Sequence, residues 1–556
     1  MFQLPIEYIH DIYPISNDIK EDLELISTKD ASMSSIYSVI FNPQTIFGEN
    51  CISKWSNYYT TDKSFLKDSK KLYKTYDFKL TSDKINVFYK KWREIQDDNG
   101  FNNKYHFINW DYINFLNHYE FFLQGLSMYN LGSPIINLVI PVFMLIVPFF
   151  MLKILNKPIS FDNYKTIVYN QIKNNVLGKL VTQFSEVKLS QKLYLSMMAS
   201  IYLFNTYQNV ITCLQYYKNF TTIHDIFYSA TQYFDDILSH MSSFSDYLED
   251  LPSYALFKND LNKHMVIIDD YNNKIKRLMP LKIGQIFNIG TKMHLLYRLK
   301  HDKDLREACD YSFEFFGYLD NILGLQEQLQ KKYMHFGKFH HYTKFKKLYY
   351  PSLINSKPVK NNIVIKNNSI ISGPNASGKT TILKSVLLNI IFTQQIYCGF
   401  YEEATIKPYD YFHCYLNIPD TCGRDSLFQA EARRCKTFLD IIIREKDKHH
   451  FCIFDELYSG TNPHEAIGSA FAYISYIANL HNVEFMLTTH FIDLCHRLEK
   501  NNSSIQNYLM KSEIIDNQPV YFYKLKKGIS TIKCGFHVLK NLHYPECIVD
   551  KAFSFN

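Results

Sequence analysis

A glycine-rich segment of the chain has the spacing of a phosphate-binding loop. Residues 373–380 read Gly-Pro-Asn-Ala-Ser-Gly-Lys-Thr, which fits G-x-x-x-x-G-K-[ST]. The glycines would let backbone N–H groups surround phosphates, Lys379 could reach the β and γ phosphates, and Thr380 could offer its hydroxyl to Mg²⁺. An apolar run, Ser369-Ile370-Ile371, precedes the motif and an apolar helical pattern follows it. This context favours a nucleotide site over a chance match.

Two later apolar runs end in residues that could complete such a site. The first, Phe451-Cys452-Ile453-Phe454, ends in Asp455 and Glu456. Asp455 would hold Mg²⁺ directly or through water, and Glu456 would orient or deprotonate the attacking water. The second, Phe485-Met486-Leu487-Thr488-Thr489, ends in His490. A lone histidine there is more often structural, but this order and spacing favour one that senses the γ phosphate.

The elements that must position these residues are buried strands followed by helices. Short apolar runs that end in acids are typical of parallel strands covered on both faces. A longer helical pattern begins near Gly423 and continues through Ile443. The second half of the chain is therefore predicted to be an α/β domain with its chemistry at the strand ends.

Four motifs together resemble the ATPase domain of the MutS mismatch-repair family. They are Gly-Pro-Asn-x-x-Gly-Lys-Thr-Thr (373–381), Gly-Arg-x-Ser-x-Phe-x-x-Glu (423–431), Asp-Glu-Leu-x-Ser-Gly-Thr-Asn (455–462) and Thr-Thr-His-Phe (488–491). The segments 523–530, 535–539 and Tyr544-Pro545 are also similar to that family. The resemblance is strong from Tyr349 to Ala552 and weaker upstream. It implies an α/β P-loop ATPase domain of the ABC type over 349–556, after a mainly α-helical core and lever region over 1–348.

The resemblance also implies an activity and a set of site residues. The activity is ATP hydrolysis with Mg²⁺, with Thr380 and Asp455 as metal ligands and Glu456 and His490 as catalytic residues. Two ATPase domains would pair head to tail in a homodimer, so that Ser426 of one subunit completes the ATP site of the other. ATP-binding residues are expected throughout the loop: Gly373, Pro374, Asn375, Ala376, Ser377, Gly378, Lys379, Thr380 and Thr381.

Upstream, the pattern is mainly helical, and almost wholly so over 161–347, and the family likeness is local. Residues 45–55 resemble the entry into the family's helical core, and residues 309–320 resemble the helix that returns from its levers. Because that core-like segment lies so early, we expect neither the family's mismatch-reading domain nor its connector domain before it. Gly399-Phe400-Tyr401-Glu402 imitates the family's Phe-x-Glu mismatch wedge, but it follows the phosphate-loop helix and is interpreted as a coincidence.

Residues 133–152 contain no charged side chain and are long enough to span a bilayer. Lys153 and Lys157 follow, which agrees with a membrane span whose basic end faces the cytosol. The alternative is a buried hairpin in a helical core, with Pro141 and Pro148 breaking or kinking its helices. The sequence leaves both interpretations open.

Composition permits a nucleic-acid partner without requiring one. The 556 residues carry a formal charge of +7, and basic clusters occur at 274–277, 331–332 and 344–347. Such clusters are more often solvated helix faces than phosphate contacts. The 11 cysteines are odd in number and scattered, which is typical of reduced thiols, and no secretory signal is evident. An intracellular protein, cytoplasmic or DNA-associated, is expected.

Two functional hypotheses follow. The first is a MutS-like, DNA-associated ATPase of mismatch repair or recombination that recognises DNA structure rather than mismatches. The second is a membrane-associated MutS-like ATPase with a role outside repair. Nucleotide binding without hydrolysis is disfavoured by the intact Asp455-Glu456 pair.

Overall fold

The computed structural model describes residues 2–30, 33–154, 160–174, 179, 188–279, 288–366, 368–416, 418, 426–515, 518–532, 537, 539, 540 and 542–554. The α-helices are α1 (Asn17–Asp22), α2 (Ile36–Phe41), α3 (Ile46–Trp55), α4 (Lys63–Thr75), α5 (Asp83–Asp97), α6 (Phe101–Lys104), α7 (Glu120–Ile154), α8 (Phe161–Asn174), α9 (Leu189–Tyr247), α10 (Ala255–Leu278), α11 (Ile289–His301), α12 (Lys303–Gln330), α13 (Lys379–Ile396), α14 (Leu427–Arg444), α15 (Pro463–Ala478), α16 (Ile492–Asn501) and α17 (Glu546–Ser554).

The strands are shorter and lie mostly in the second half of the chain. They are β1 (Ile12–Pro14), β2 (Tyr58–Thr60), β3 (His335–Phe336), β4 (Lys338–Phe339), β5 (Thr343–Leu348), β6 (Asn361–Ile365), β7 (Asn368–Ser372), β8 (Cys398–Gly399), β9 (Glu403–Ile406), β10 (Tyr411–Tyr415), β11 (His450–Asp455), β12 (Val483–Thr489), β13 (Ile505–Ile515) and β14 (Gln518–Lys527). Short 3₁₀ helices occur at Pro5–Tyr8, Asn114–His118, Leu248–Asp250, Pro252–Tyr254 and Pro351–Ser356.

The chain divides into two compact units. The first consists of Met1–Leu80, Ser242–Asn262 and Asp310–Asn556, and the second of Thr81–Met241 and Lys263–Cys309. The first unit combines helices with mixed sheets, and the second is helical over its described residues. The phosphate loop and both later strand ends lie in the first unit.

A six-stranded sheet carries the strands on which the predicted site depends. Its order is β10-β11-β12-β7-β13-β14, and every neighbouring pair is parallel except β13 and β14. Side chains alternate between the two faces of a strand, and residues 451–454 of β11 are all fully buried, so this strand is covered on both faces. Parallel neighbours share one carboxyl edge. This edge therefore brings the phosphate loop, Asp455 and His490 together.

Smaller sheets correct one expectation. Residues 161–347 were predicted to be almost wholly helical, but β3, β4 and most of β5 fall in that range. β5 lies in a four-stranded sheet of order β4-β9-β5-β6, whose strands come from both sides of the phosphate loop. Such pairing is non-local, so the helical periodicity of the preceding residues gave no indication of it.

The helix after the phosphate loop is tied to the N-terminal part of the chain within the same unit. Gln394 donates to the carbonyl of Thr60 at 3.2 Å, and Gln395 donates to those of Trp55 and Tyr58 at 2.8 and 2.7 Å. Both glutamines are buried, at 0% and 2% exposure. Buried amides are costly unless they are hydrogen-bonded, so these contacts fix α13 against α3 and β2.

The apolar segment 133–152 lies within one continuous helix, α7. Helix α7 runs through positions 141 and 148, so the two prolines do not divide the segment into the two helices of a hairpin. Each proline removes a single backbone donor, and the turns around it keep theirs. Phe143 and Phe150 are more than half exposed, which also contradicts the buried alternative at these positions.

Among the described residues, no helix combines the length and the apolar composition that crossing a bilayer requires. The membrane-span interpretation of 133–152, one of the two that the sequence left open, is therefore unsupported.

A pair of buried histidines joins β10 to β11 at the edge of the six-stranded sheet. His450 Nε2 lies 3.0 Å from the carbonyl oxygen of Glu445, which can only accept, so Nε2 carries a proton. Neutral His450 then accepts at Nδ1 from His413 Nε2, 3.1 Å away. Burial is the largest cause that lowers the pKa of His413 to about 3, and the positive charge of Arg434 acts in the same direction. Burial also lowers the pKa of His450.

We expect this pair to make the fold sensitive to mild acid. Between pH 6.5 and about pH 3 the unfolded chain protonates His413 and the folded chain does not, so stability falls as pH falls. Going from pH 6.5 to 5.5 should lower the free energy of unfolding by about 1 kcal/mol for this histidine alone. Urea unfolding at both pH values should show a smaller loss for His413→Gln, whose amide can still donate to His450. The exposed His464→Gln is the control, and equal losses in wild type and His413→Gln would contradict the prediction.

Candidate functional site

The phosphate loop connects β7 to α13 through a tight turn. Gly378 has φ of +92°, and a Cβ there would lie 3.1 Å from the ring of Tyr523, so this position requires glycine. Ala376 also lies in the left-handed region, at φ +64°. A Cβ on Gly373 would lie 3.0 Å from Ser377 Oγ. The loop therefore closes on itself without room for larger residues.

Lys379 folds back across this loop. Its side chain is 5% exposed, and Nζ donates to the carbonyls of Gly373 at 2.9 Å and Pro374 at 3.2 Å. It also lies 3.4 Å from Asn375 Oδ1 and 3.4 Å from Glu456 Oε1. The ammonium is thus surrounded by oxygen atoms of the kind that phosphates would replace.

Asp455, at the end of β11, lies between two threonine hydroxyls. Thr380 Oγ1 donates to Asp455 Oδ2 at 2.7 Å, and Thr488 Oγ1 donates to Asp455 Oδ1. The carboxylate at the end of β11 is thereby brought to the first turn of α13. Carboxylate and hydroxyl oxygens are donors that Mg²⁺ prefers, so Thr380 and Asp455 fit a magnesium site.

Ser377 adds a second indication of a ligand. Its hydroxyl is buried and has no hydrogen-bond partner among the described residues. A buried polar group without a partner costs free energy. A bound phosphate oxygen would supply the missing partner.

Glu456 follows Asp455 in a strained backbone conformation. Its φ is +50°, and its N–H donates to the carbonyl of Thr488 at 3.1 Å. His490 Nδ1 lies 3.6 Å from its carboxylate, a long contact. His490 is the largest influence that holds the pKa of Glu456 below its usual value, followed by the charge of Lys379, while burial opposes both. Glu456 is therefore an ionised acceptor at neutral pH.

A cavity beside the loop was not anticipated from the sequence. It encloses about 400 Å³ and is mainly apolar, and it opens next to Gly378 and Thr381. Its size is within the range of small-molecule pockets. Tyr349 and Tyr350 were interpreted only as a domain boundary, although paired aromatics shortly before a phosphate loop could have indicated this pocket. The remaining lining residues are Leu348, Leu353, Ser356, Lys357, Pro358, Val359, Asn361, Ile382, Ser385, Met510 and Tyr523.

Ser426 lies apart from the residues assembled above. It caps α14, where its Oγ accepts from the N–H of Gln429 at 3.3 Å while the Gln429 side chain accepts from the N–H of Ser426 at 2.9 Å. The hydrogen bonds described for Ser426 run to Gln429 and Ala430 in the first turn of α14, and none reaches the phosphate loop. Residues 423–425 of the predicted signature lie outside the described residues.

The basic clusters contain ion pairs. Lys276 pairs with Asp235 at 2.5 Å, Lys331 with Glu327 at 2.6 Å, and Lys347 with Glu402 at 2.5 Å. These pairs reduce the local positive charge, which favours the solvated-face interpretation. Phe400, in the wedge-like segment, is fully buried.

Residues 369–555 match the family described as MutS domain V. The DNA mismatch repair protein MutS of Bacteroides fragilis (strain YCH46) is 28% identical over 206 residues, which cover 36% of this chain and 23% of that protein. The protein of the same name from Listeria monocytogenes serotype 4b is 27% identical over 198 residues, which cover 35% and 22%. That from Bacillus pumilus is 26% identical over 185 residues, which cover 33% and 21%. The matched part thus spans less than a quarter of each relative.

Proposed function

The chain belongs to the MutS family through residues 369–555, and from this we propose that it is an ATPase that couples ATP binding and hydrolysis to DNA. The observation that carries the proposal is the contact between Thr380 and Asp455 at 2.7 Å, with Lys379 and Glu456 beside it. Two sequence-distant segments there supply the cation, the metal-ligand oxygens and the carboxylate that phosphoryl transfer needs.

The roles of these residues follow from their chemistry. Lys379 would exchange the carbonyls of Gly373 and Pro374 for phosphate oxygens, and the Ser377 hydroxyl would gain a partner. The cavity lined by Tyr349 and Tyr350 would hold the base. Mg²⁺, when bound by Thr380 and Asp455, supplies positive charge that offsets the phosphates.

Glu456 is better suited to orient the attacking water than to act as the base that takes a proton from that water. A general base works best with a pKa near the working pH, and His490 and Lys379 keep the pKa of Glu456 low. An ionised carboxylate in this position still accepts a hydrogen bond from the attacking water. His490 would sense the γ phosphate of a bound ATP through its contact with Glu456.

Ser426 supports a dimer in which ATP lies between subunits. It is exposed at the start of α14, and its described hydrogen bonds leave it without a role in its own phosphate loop. We propose a head-to-tail homodimer in which Ser426 reaches the partner's ATP.

We propose that DNA is the macromolecular partner and is recognised by its shape rather than by mismatches. The mismatch repair relatives support the choice of DNA. Phe400 is fully buried, so the segment that imitates a mismatch wedge cannot insert between bases. No described helix favours the membrane-associated alternative.

A competition among DNA ligands tests this proposal. Homoduplex, single-mismatch duplex and branched junction of equal length should be compared at near-physiological salt, with and without ATP, while ATP turnover is recorded. We expect the junction to bind most tightly, ATP to change its affinity, and binding to weaken steeply as salt rises.

Two outcomes of this competition would contradict the proposal. A mismatch preference above about tenfold, which corresponds to roughly 1.4 kcal/mol, would overturn recognition by shape. Binding that does not change with salt would overturn the DNA assignment.

A further inference from the structure

Glu431 is a buried carboxylate whose partners lie outside its own helix. It belongs to the second turn of α14 and is 2% exposed. A buried charge is costly unless it is hydrogen-bonded, so its partners identify what the residue holds in place. None of the nucleotide-binding roles assigned above uses Glu431.

Both carboxylate oxygens of Glu431 accept from the turn that follows Glu456. Ser459 Oγ donates to Oε1 at 3.3 Å, and the N–H of Gly460 donates to Oε2 at 3.2 Å. The turn also packs closely on α14, because a Cβ on Gly460 would lie 2.7 Å from Leu427 Cγ. Leu427 directly follows Ser426. Glu431 therefore connects the start of α14 to the segment after β11.

This segment is held in an unfavourable backbone conformation. Glu456 and Tyr458 have φ of +50° and +59°, in the left-handed region that residues other than glycine seldom adopt. Such residues persist when their surroundings fix them. Thr488 accepts from the N–H of Glu456 at one end, and the Tyr415 hydroxyl accepts from the N–H of Tyr458 at 3.2 Å. The bonds to Glu431 fix the other end.

We propose that Glu431 is a positioning residue that couples the two ATP sites of the dimer, by tying Ser426, which serves the partner's ATP, to Glu456, which serves the subunit's own. This inference rests on the proposed function, because it uses the head-to-tail arrangement. A displacement of Ser426 when the partner binds ATP would pass through α14 and Glu431 to the turn that carries Glu456. The pair of sites would then respond together.

Glu431→Gln tests the link with little change in shape. The amide oxygen can still accept from the N–H of Gly460, and the NH₂ group can only donate to the Ser459 hydroxyl, so the variant removes the carboxylate charge and reverses one of the two hydrogen bonds. We expect kcat to fall about tenfold or more while KM changes less than about threefold, because the phosphate loop is untouched. Without nucleotide, hydrogen exchange should accelerate over residues 457–461 and stay normal over 373–396.

Two further variants separate positioning from a general loss of stability. Ser459→Ala removes one donor and should give a smaller fall in kcat that is not additive with that of Glu431→Gln. Thr437→Ala, whose hydroxyl bonds only within α14 to the carbonyl of Arg433, is the matched control and should leave kcat unchanged. If Glu431→Gln does not fold, Ser459→Ala with its exchange pattern tests the same contact.

Mixed dimers with a single working site complete the test. Each combines a Lys379→Ala subunit with one that has Lys379, and Glu431→Gln is placed in either. If Glu431 couples the two sites, turnover should be slower than in the mixed dimer without Glu431→Gln, whichever of the two subunits carries the substitution. Slowing from one side only, or full kcat with normal exchange, would overturn it. A wild-type protein that hydrolyses no ATP would instead overturn the proposed function, and the exchange measurement would still report on the contact.

Discussion

Glu456→Gln is expected to retain ATP and to lose turnover by at least about a hundredfold, the scale of general-base and positioning effects. The glutamine amide keeps the shape of the side chain and removes the negative charge that lies 3.4 Å from the Lys379 ammonium. Lys379→Ala should instead abolish tight ATP binding, because it removes the only cationic side chain of the loop 373–380. Equilibrium ATP binding and steady-state hydrolysis, measured on the same preparations, distinguish the two effects.

Matched variants make this result specific. The control variants are Lys384→Ala and Glu499→Gln. Lys384 lies on α13 outside the phosphate loop, and Glu499 is exposed on α16. Both should bind and hydrolyse ATP as the wild type does. Equal ATP affinity in wild type and Lys379→Ala would refute the assignment of the loop, and full turnover in Glu456→Gln would remove that residue from the reaction.

The second large effect is recovery of activity on mixing two inactive variants. Ser426→Arg should block the partner's site, and Lys379→Ala should disable the subunit's own. A dimer of one of each has one site with both Lys379 and Ser426 and one site with neither. Random pairing at equal amounts should therefore restore about a quarter of wild-type turnover, because half of the dimers have one intact site of two.

Separate preparations of each variant, assayed at the same total concentration, are the reference for this recovery. Turnover that stays at their level after subunit exchange has been verified would mean that each ATP site is complete within one subunit. In that case Ser426 would have no role in trans.

The residues of the candidate site could be predicted from the sequence where they belong to one short motif. The glycine-rich loop at 373–380 is one such motif, and the pair Asp455 and Glu456 after the apolar run 451–454 is another. Each motif marks the end of a strand, and the parallel pairing of these strands brings Thr380 to Asp455. Hydrogen-bond partners that only the tertiary packing brings together could not be predicted from the sequence. The contact of Glu431 with Ser459 joins two motifs that had been interpreted separately.

Two failures have a common physical cause. Periodicity extended the helical prediction across 335–348, where strands pair with residues far along the chain. Proline was given too much weight at positions 141 and 148, where the rest of the helix outweighs two missing donors. Local patterns report the preference of a segment, and neighbours decide whether that preference is met.

The glutamines at the end of α13 limit how the chain can be divided. Gln394 and Gln395 bond to backbone carbonyls of residues 55–60, so a fragment that began at residue 349 would leave these amide groups without those partners. Each such loss costs about 1–3 kcal/mol where the group stays buried. The strong family resemblance begins at Tyr349, but the compact unit that contains it also includes the first 80 residues. The half of the chain that begins at residue 349 is therefore not a transferable module, and grafting it onto another protein would require carrying the N-terminal segment with it.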